Sequence, residues 1–204
     1  LPRAYQAVDK QSPAGSEGLA IPTMTVLQQH CGFWDRDNDG RIYPLDTYRG
    51  CRELGMSVLL SLGFTWLLHF TLLVPYMTQD SWILHPYLCI YLKNIHRIKH
   101  ASDSGVFDEE GRMYPGKLEQ IWSILGAEEL RSYGDVKRLV WANKDVGDPI
   151  GWMASTISWS LLWWVARDES GVVSREALRS CYDGTLFYHI AEKRRARALS
   201  SKYE

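Results

Sequence analysis

The chain has 204 residues, enough for one or two compact domains with a real core, and its 46% hydrophobic share is ordinary for a globular protein. Its 23 basic and 24 acidic residues leave a formal net charge of −1, which gives no reason to expect nucleic acid or a broadly acidic partner. Four cysteines, Cys31, Cys51, Cys89 and Cys181, are scattered without metal-ligand spacing and do not read as a disulfide framework, so a reducing compartment is expected.

The sequence opens at Leu1 without an initiator methionine and without a charged-then-apolar leader. A missing natural N-terminal piece and no cleavable secretory signal are therefore expected. Residues 1–22 are rich in Pro, Gly, Ser and charge and read as an extended arm. From Met24 the spacing of Val26, Leu27, His30, Phe33 and Trp34 predicts a helix.

That helix leads into Asp35-Arg36-Asp37-Asn38-Asp39-Gly40-Arg41-Ile42-Tyr43-Pro44-Leu45-Asp46, which reads as the loop of an EF-hand over residues 23–55. Calcium is a hard cation that takes oxygen ligands from loop positions 1, 3, 5, 7, 9 and 12. Asp35, Asp37 and Asp39 fill the first three, Gly40 allows the sharp turn, and Arg41 offers its backbone carbonyl. Asp46 stands last, where Glu is usual. A carboxylate one methylene shorter reaches the ion less easily in bidentate fashion, so weaker calcium affinity or tolerance of magnesium is expected. An exit helix follows Pro44 and runs to about Gly55.

Residues 54–79 carry no formal charge, and their middle is long enough for the roughly 20 apolar residues of a bilayer span, although His69 and Pro75 interrupt it. A second apolar segment, Ser81 to Leu92, contains His85 and Pro86. Two apolar arms around a proline-bearing bend suggest a lipid-dipping hairpin over residues 56–92, with a single transmembrane helix or a buried helix as alternatives. Lys93, Arg97 and Lys99 would suit a return to a polar or anionic interface. Nine tryptophans are compatible with either a membrane boundary or a core.

The remaining residues, 93–204, read as a helical C-terminal region with degenerate EF-like loops. Asp108-Glu109-Glu110-Gly111-Arg112-Met113-Tyr114-Pro115 echoes the calcium loop, but Val106 and Lys117 fall where its first and last ligands would stand, so no ion is expected there. Asp168-Glu169-Ser170-Gly171-Val172-Val173-Ser174 looks like a shorter third turn. Leu118, Ile121, Trp122 and Leu125 share one helical face, and Val136, Leu139 and Val140 begin another. Lys193, Arg194, Arg195 and Arg197 suggest a solvated helix face or tail. The expected fold is thus mainly α, with one calcium-competent helix-loop-helix unit, one or two degenerate ones, and an apolar lipid-associating helical segment.

Among six histidines, His96 and His100 lie four apart, which would suit zinc on one helical face, yet no Glu follows the first as a metalloprotease motif requires. There is no nucleophile elbow, P-loop or dinucleotide glycine pattern.

Leu27-Gln28-Gln29-His30, the loop ending Tyr43-Pro44-Leu45-Asp46-Thr47-Tyr48, the apolar segment, Asn94-Ile95-His96 through His100-Ala101-Ser102-Asp103-Ser104, and the run from Ala166 through Phe187 closely resemble the caleosins. The likeness covers nearly the whole chain, including Pro2-Arg3-Ala4. It implies a calcium-binding protein of lipid droplets and the cytosolic face of the endoplasmic reticulum membrane. It further implies a peroxygenase using haem b to move oxygen from a fatty-acid hydroperoxide to an unsaturated lipid acceptor. The two histidines that family members need for haem activity map onto His30 and His100, with His96 matching a further family position. The alternative is a non-enzymatic calcium-binding structural or tethering protein of lipid bodies. A homo-oligomer is left open.

Overall fold

The computed structural model describes residues 5–16, 23–71 and 73–201; residues 1–4 and 17–22 of the expected arm, with Pro2-Arg3-Ala4, lie outside the described residues, as do Leu72 and residues 202–204. The chain is mainly helical, as its apolar spacing predicts. In order it forms α1 (Val26–Gly32), β1 (Arg41–Ile42), α2 (Pro44–Glu53), α3 (Val58–Thr65), a π-helical turn (Trp66–Phe70), α4 (Leu73–Thr78), β2 (Ile90–Tyr91) and a 3-10 helix (Leu92–Ile98). Then come α5 (Pro115–Leu125), β3 (Glu129–Leu130), α6 (Tyr133–Ala142), α7 (Pro149–Ala166), β4 (Val173–Ser174), α8 (Arg175–Tyr182) and α9 (Thr185–Ser200). It divides into two compact units, one of Leu1–Leu27 with Lys99–Asp183, the other of Gln28–Ile98 with Gly184–Glu204.

The first unit is built on a core of Val26, Val106, Met113, Leu118, Ile121, Leu130, Leu139, Val173 and Leu178, all fully buried. The two faces expected of α5 and α6 supply much of it. Trp122 and Trp159 join this core, which places these two tryptophans inside the fold rather than at a boundary. Local capping marks the helix starts: Pro115 opens α5, the Asp148 carboxylate accepts the Gly151 N–H at the head of α7, and the Ser174 hydroxyl accepts the Ala177 N–H at the head of α8. β3 pairs antiparallel with β4, matching Glu129 with Ser174 and Leu130 with Val173.

Over Tyr5–Ser16 the chain is held rather than extended. Ala7 and Asp9 are buried, Arg179 Nη1 donates to the Ala7 carbonyl at 2.6 Å, and Arg175 Nε donates to Asp9 at 2.9 Å. Glu119 and Glu128 complete the partners of the buried Arg175 guanidinium. Burial alone would raise the Asp9 carboxyl, but the Arg175 bond and the N–H groups of Ser12 and Gln11 hold it below the usual range.

In the second unit the apolar segment runs in two arms. Its first arm is α3, the π-turn and α4; its second is an irregular return through residues 79–89 that ends in β2. No helix among the described residues is long and apolar enough to cross a membrane. The helical arm is inverted relative to a soluble helix: Ser61, Thr65, His69 and Thr78 are buried, while Leu59 (80% exposed), Leu60, Leu62, Trp66, Phe70 and Leu73 face outward. Ser61 and Thr65 satisfy their hydroxyls on the carbonyls of Ser57 and Ser61, one turn back. His69, fully buried, has Nδ1 2.8 Å from the Leu88 carbonyl and Nε2 2.8 Å from the Thr47 hydroxyl. A carbonyl only accepts, so Nδ1 carries the hydrogen and Nε2 accepts from Thr47. The Lys193–Arg197 cluster lies on the solvent-exposed part of α9, as expected of a solvated face.

Burial holds the His69 imidazole below its ordinary 6.5, outweighing the Leu88 carbonyl and the Asp46 charge, which pull it upward. The unfolded chain therefore takes up a proton that the folded chain refuses, and stability falls as pH drops through the unfolded value toward the folded one. His69→Leu leaves Thr47 and the Leu88 carbonyl unpartnered and should cost about 2–4 kcal/mol in urea melts. His69→Gln keeps a donor and an acceptor without the titration, so it should be less damaging and should flatten this part of the pH profile.

Candidate metal loop and histidine sites

Three of the five residues expected to serve a cation converge. Asp35, Asp37 and Asp39 place one carboxylate oxygen each within 4.8 Å of one another, and among the described residues they form the one such cluster. The backbone shapes this arrangement, because Asp35 accepts the N–H groups of Asp39 (3.1 Å) and Gly40 (3.0 Å), and Asp39 accepts that of Arg41 at 2.8 Å. A set of hard oxygens at this spacing fits a divalent cation such as calcium. Asp35 is buried, and burial first, then repulsion from Asp39 and Asp37, raises its carboxyl despite the two N–H bonds. Arg41 lies in β1 directly after the turn. Asp46 is not in the cluster: its Oδ2 accepts the Tyr43 N–H at 3.1 Å and caps α2.

The strand partner of this loop comes from the end of the apolar segment and not from the echo at Asp108. β1 pairs antiparallel with β2, Arg41 opposite Tyr91 and Ile42 opposite Ile90, so the end of the apolar segment closes the loop. The echo at Asp108 closes on itself through a bridge between Phe107 and Met113, and the turn at Asp168 leads into β4. The three turns nevertheless share a frame. Gly40, Gly111 and Gly171 all have φ between 80° and 84°, a region that side chains resist, and each is followed by a buried Ile42, Met113 or Val173 and then a helix start. What differs is the charge. Asp108 commits its oxygens to the N–H groups of Glu110 and Arg112 and to the Arg112 guanidinium; Asp168 binds the N–H groups of Ser170 and Val172. The fully buried Val106 occupies the place of Asp35 in the first of these.

His30 sits on α1 in the second unit, within an aromatic cluster. Its ring meets the edge of Phe187 at 5.2 Å and tilts toward Trp34 at 6.3 Å, while Phe187 packs on Trp34 at 4.9 Å and on Phe33 at 5.7 Å. Gly184, at the head of α9, makes this approach feasible, since a Cβ there would lie 2.7 Å from the Gln29 carbonyl and 3.1 Å from the His30 Cα. Tyr188, next along α9, is raised by burial and secondarily by the Asp35 charge, which ties the aromatic cluster electrostatically to the carboxylate loop. Site reasoning on the sequence missed Phe187 as a neighbour of His30 and Tyr188 as a neighbour of Phe33, because they lie far along the chain.

His100 belongs to the first unit and follows the 3-10 helix, which ends at Ile98. It therefore does not share an α-helical face with His96, and among the described residues neither joins a cluster of metal-ligating groups. The His100 Nδ1 is shut off from solvent and lies 3.3 Å from Asp148 Oδ2 without hydrogen-bond alignment. That buried, orphaned nitrogen beside a carboxylate, on a ring 26% exposed, fits an imidazole arranged to offer its other nitrogen to a metal such as haem iron. None of the four cysteines is in a disulfide, and burial pushes the Cys31 and Cys181 thiols up to about 12, which disfavours thiolate chemistry at neutral pH.

Comparison with known proteins gives the family of the chain. The model of caleosin-related proteins matches residues 22–191. A peroxygenase of Lilium longiflorum is 40% identical over 197 residues, covering 96% of this chain and 82% of that protein. Probable peroxygenase 4 of Arabidopsis thaliana is 34% identical over 179 residues, covering 87% and 90% respectively. A protein of the same plant named as a probable inactive peroxygenase-like protein is 30% identical over 103 residues, 48% of each chain. No solved structure matches. The chain belongs to the caleosin family.

In chelator, Asp37→Asn should stabilise the metal-free protein at neutral pH by about 0.5 kcal/mol through relief of the charge on Asp35. A raised carboxyl destabilises the fold only where it is ionised, so the gain should vanish as pH falls below the Asp35 transition, read from thermal melts.

Proposed function

We propose that this chain is a calcium-binding haem peroxygenase acting on fatty-acid hydroperoxides at lipid droplets and the cytosolic face of the endoplasmic reticulum membrane. The observation that carries the reading is the match to a protein named peroxygenase over 96% of this chain, with His30 and His100 both present. The net reaction breaks the O–O bond of the hydroperoxide, delivers one oxygen to the acceptor double bond as an epoxide, and leaves the fatty acid as an alcohol. The hydroperoxide is the oxidant, and haem, when bound, would supply the redox-active iron that promotes breaking of its O–O bond. The chain's part is to hold the haem through imidazole, to shift the hydroperoxide proton from one peroxide oxygen to the other, and to orient the acyl chain.

Calcium at Asp35, Asp37 and Asp39, with the Arg41 carbonyl as a further ligand, would stiffen the turn that follows the His30 helix. Trp34, directly before Asp35, packs on Phe187 and tilts toward the His30 ring, which gives this coupling a physical route from the loop. The outward apolar face of α3 and α4, with Trp82 and Ile83 at 90% and 82% exposure, suits an interfacial seat in the acyl region of a droplet monolayer or membrane. The partial likeness to a protein named as inactive favours one second reading, a calcium-binding tethering protein without haem chemistry.

A haem titration followed at the Soret band, with consumption of a fatty-acid hydroperoxide, tests the reading. His30→Ala and His100→Ala should each lose haem affinity and at least about tenfold in turnover, the scale expected for removing a metal ligand or an acid–base group; no haem binding by the original chain would leave the tethering reading. Asp35→Asn should abolish the calcium-induced thermal shift and lower haem occupancy. Separately, Leu59→Glu with Trp82→Glu should weaken flotation with phospholipid-coated droplets while leaving the circular dichroism spectrum unchanged.

A further inference from the structure

We propose that Asp148 is the positioning residue of His100, holding its imidazole as the Nδ1–H tautomer so that the Nε2 lone pair is the one offered to haem iron. This inference rests on the reading of His100 as a haem-holding residue. A carboxylate only accepts, so the ring nitrogen that faces it carries the hydrogen in the neutral imidazole and the lone pair is left on the other. Nδ1 lies 3.3 Å from Asp148 Oδ2, closed to solvent and out of hydrogen-bond alignment, so the carboxylate acts on it by charge, and Nε2 is left as the nitrogen able to meet a ligand. The same carboxylate–imidazole–metal order orients histidine ligands and raises their basicity in metal sites generally.

The carboxylate is itself held on both oxygens. Oδ1 accepts the Gly151 N–H at 2.8 Å and Oδ2 accepts the Ser102 N–H at 3.0 Å. The segment bearing His100 is clamped to the same place: the Ser102 hydroxyl donates to the Asp148 carbonyl at 3.3 Å, and the Ser155 hydroxyl donates to the Ser102 carbonyl at 2.6 Å. Gly151 is the opening in this clamp, because a Cβ there would collide with both the Asp148 carboxylate and the His100 Nδ1. The α7 N-cap and the histidine support are thus one carboxylate used twice.

The test uses two-bond proton–nitrogen correlation spectra of the full chain carrying isotope-labelled histidine, recorded at alkaline pH, followed by haem titration and potentiometry. The original should show the Nδ1–H tautomer at His100. Asp148→Asn, which caps a helix as well as Asp does, should shift the ring toward the Nε2–H form. It should also lower haem affinity about 10- to 100-fold and move the ferric–ferrous potential to a more positive value. Gly151→Ala should displace the ring from the carboxylate and produce the same tautomer shift and affinity loss, with the fold checked by circular dichroism. An Nε2–H tautomer in the original overturns the proposal. If His100→Ala loses haem but Asp148→Asn keeps the original affinity and potential, the positioning role alone fails. If His100→Ala keeps the original haem affinity, the haem reading of His100 fails and the positioning role with it.

Discussion

The buried His69 imidazole carries the arrangement of the second unit. Its two bonds join three separate stretches: the π-turn of the apolar segment, α2 just after the carboxylate loop through Thr47, and the strand approach to β2 through Leu88. Two residues beyond Leu88, Ile90 pairs with Ile42 and closes that loop. An imidazole can bridge in this way only while neutral, with one donor and one acceptor, which is why its burial and its lowered basicity belong to the same fact. The π-turn widens the helix where His69 points inward, a feature often found where a side chain is placed for a purpose.

That bridge explains how an apolar segment remains attached to a folded unit while turning its large side chains outward. The buried face of α3 is a narrow polar stripe, satisfied within its own helix and against Thr47, so apolar burial is not what holds it. The leucines and aromatics of this segment are left facing outward. The α2 helix that follows the carboxylate loop and the segment bearing this outward apolar face are thereby linked through one hydrogen-bonded histidine.

The three aspartate–glycine turns make a related point. One backbone frame, with the same left-handed glycine and the same inward apolar residue, serves an acidic cluster in one case and two self-satisfied turns in the others. For the turn at Asp108 the distinction is legible in the residues themselves, since Val106, standing where Asp35 does, offers no carboxylate to a cluster. The pairing of these turns is not, because strands of two residues leave no periodic signal. The inverted helix does leave one: Ser57, Ser61, Thr65 and His69 stand at a spacing of four, a polar stripe hidden in a run that reads as uniformly apolar.

By itself the sequence determined the helical character, the convergence of Asp35, Asp37 and Asp39, and the family, because each depends on residues close in the chain or on a likeness along its whole length. Only the tertiary structure decided that Asp46 caps α2 rather than joining the cluster, that the apolar segment closes the loop, that Phe187 stands against His30 and that Asp148 faces His100. The Asp46 cap is local, but the direction in which a carboxylate turns is a choice between two acceptable partners that spacing leaves open. The other contacts join residues distant in the chain, and their hydrogen-bond direction and ring packing exist only once folding has brought such groups together.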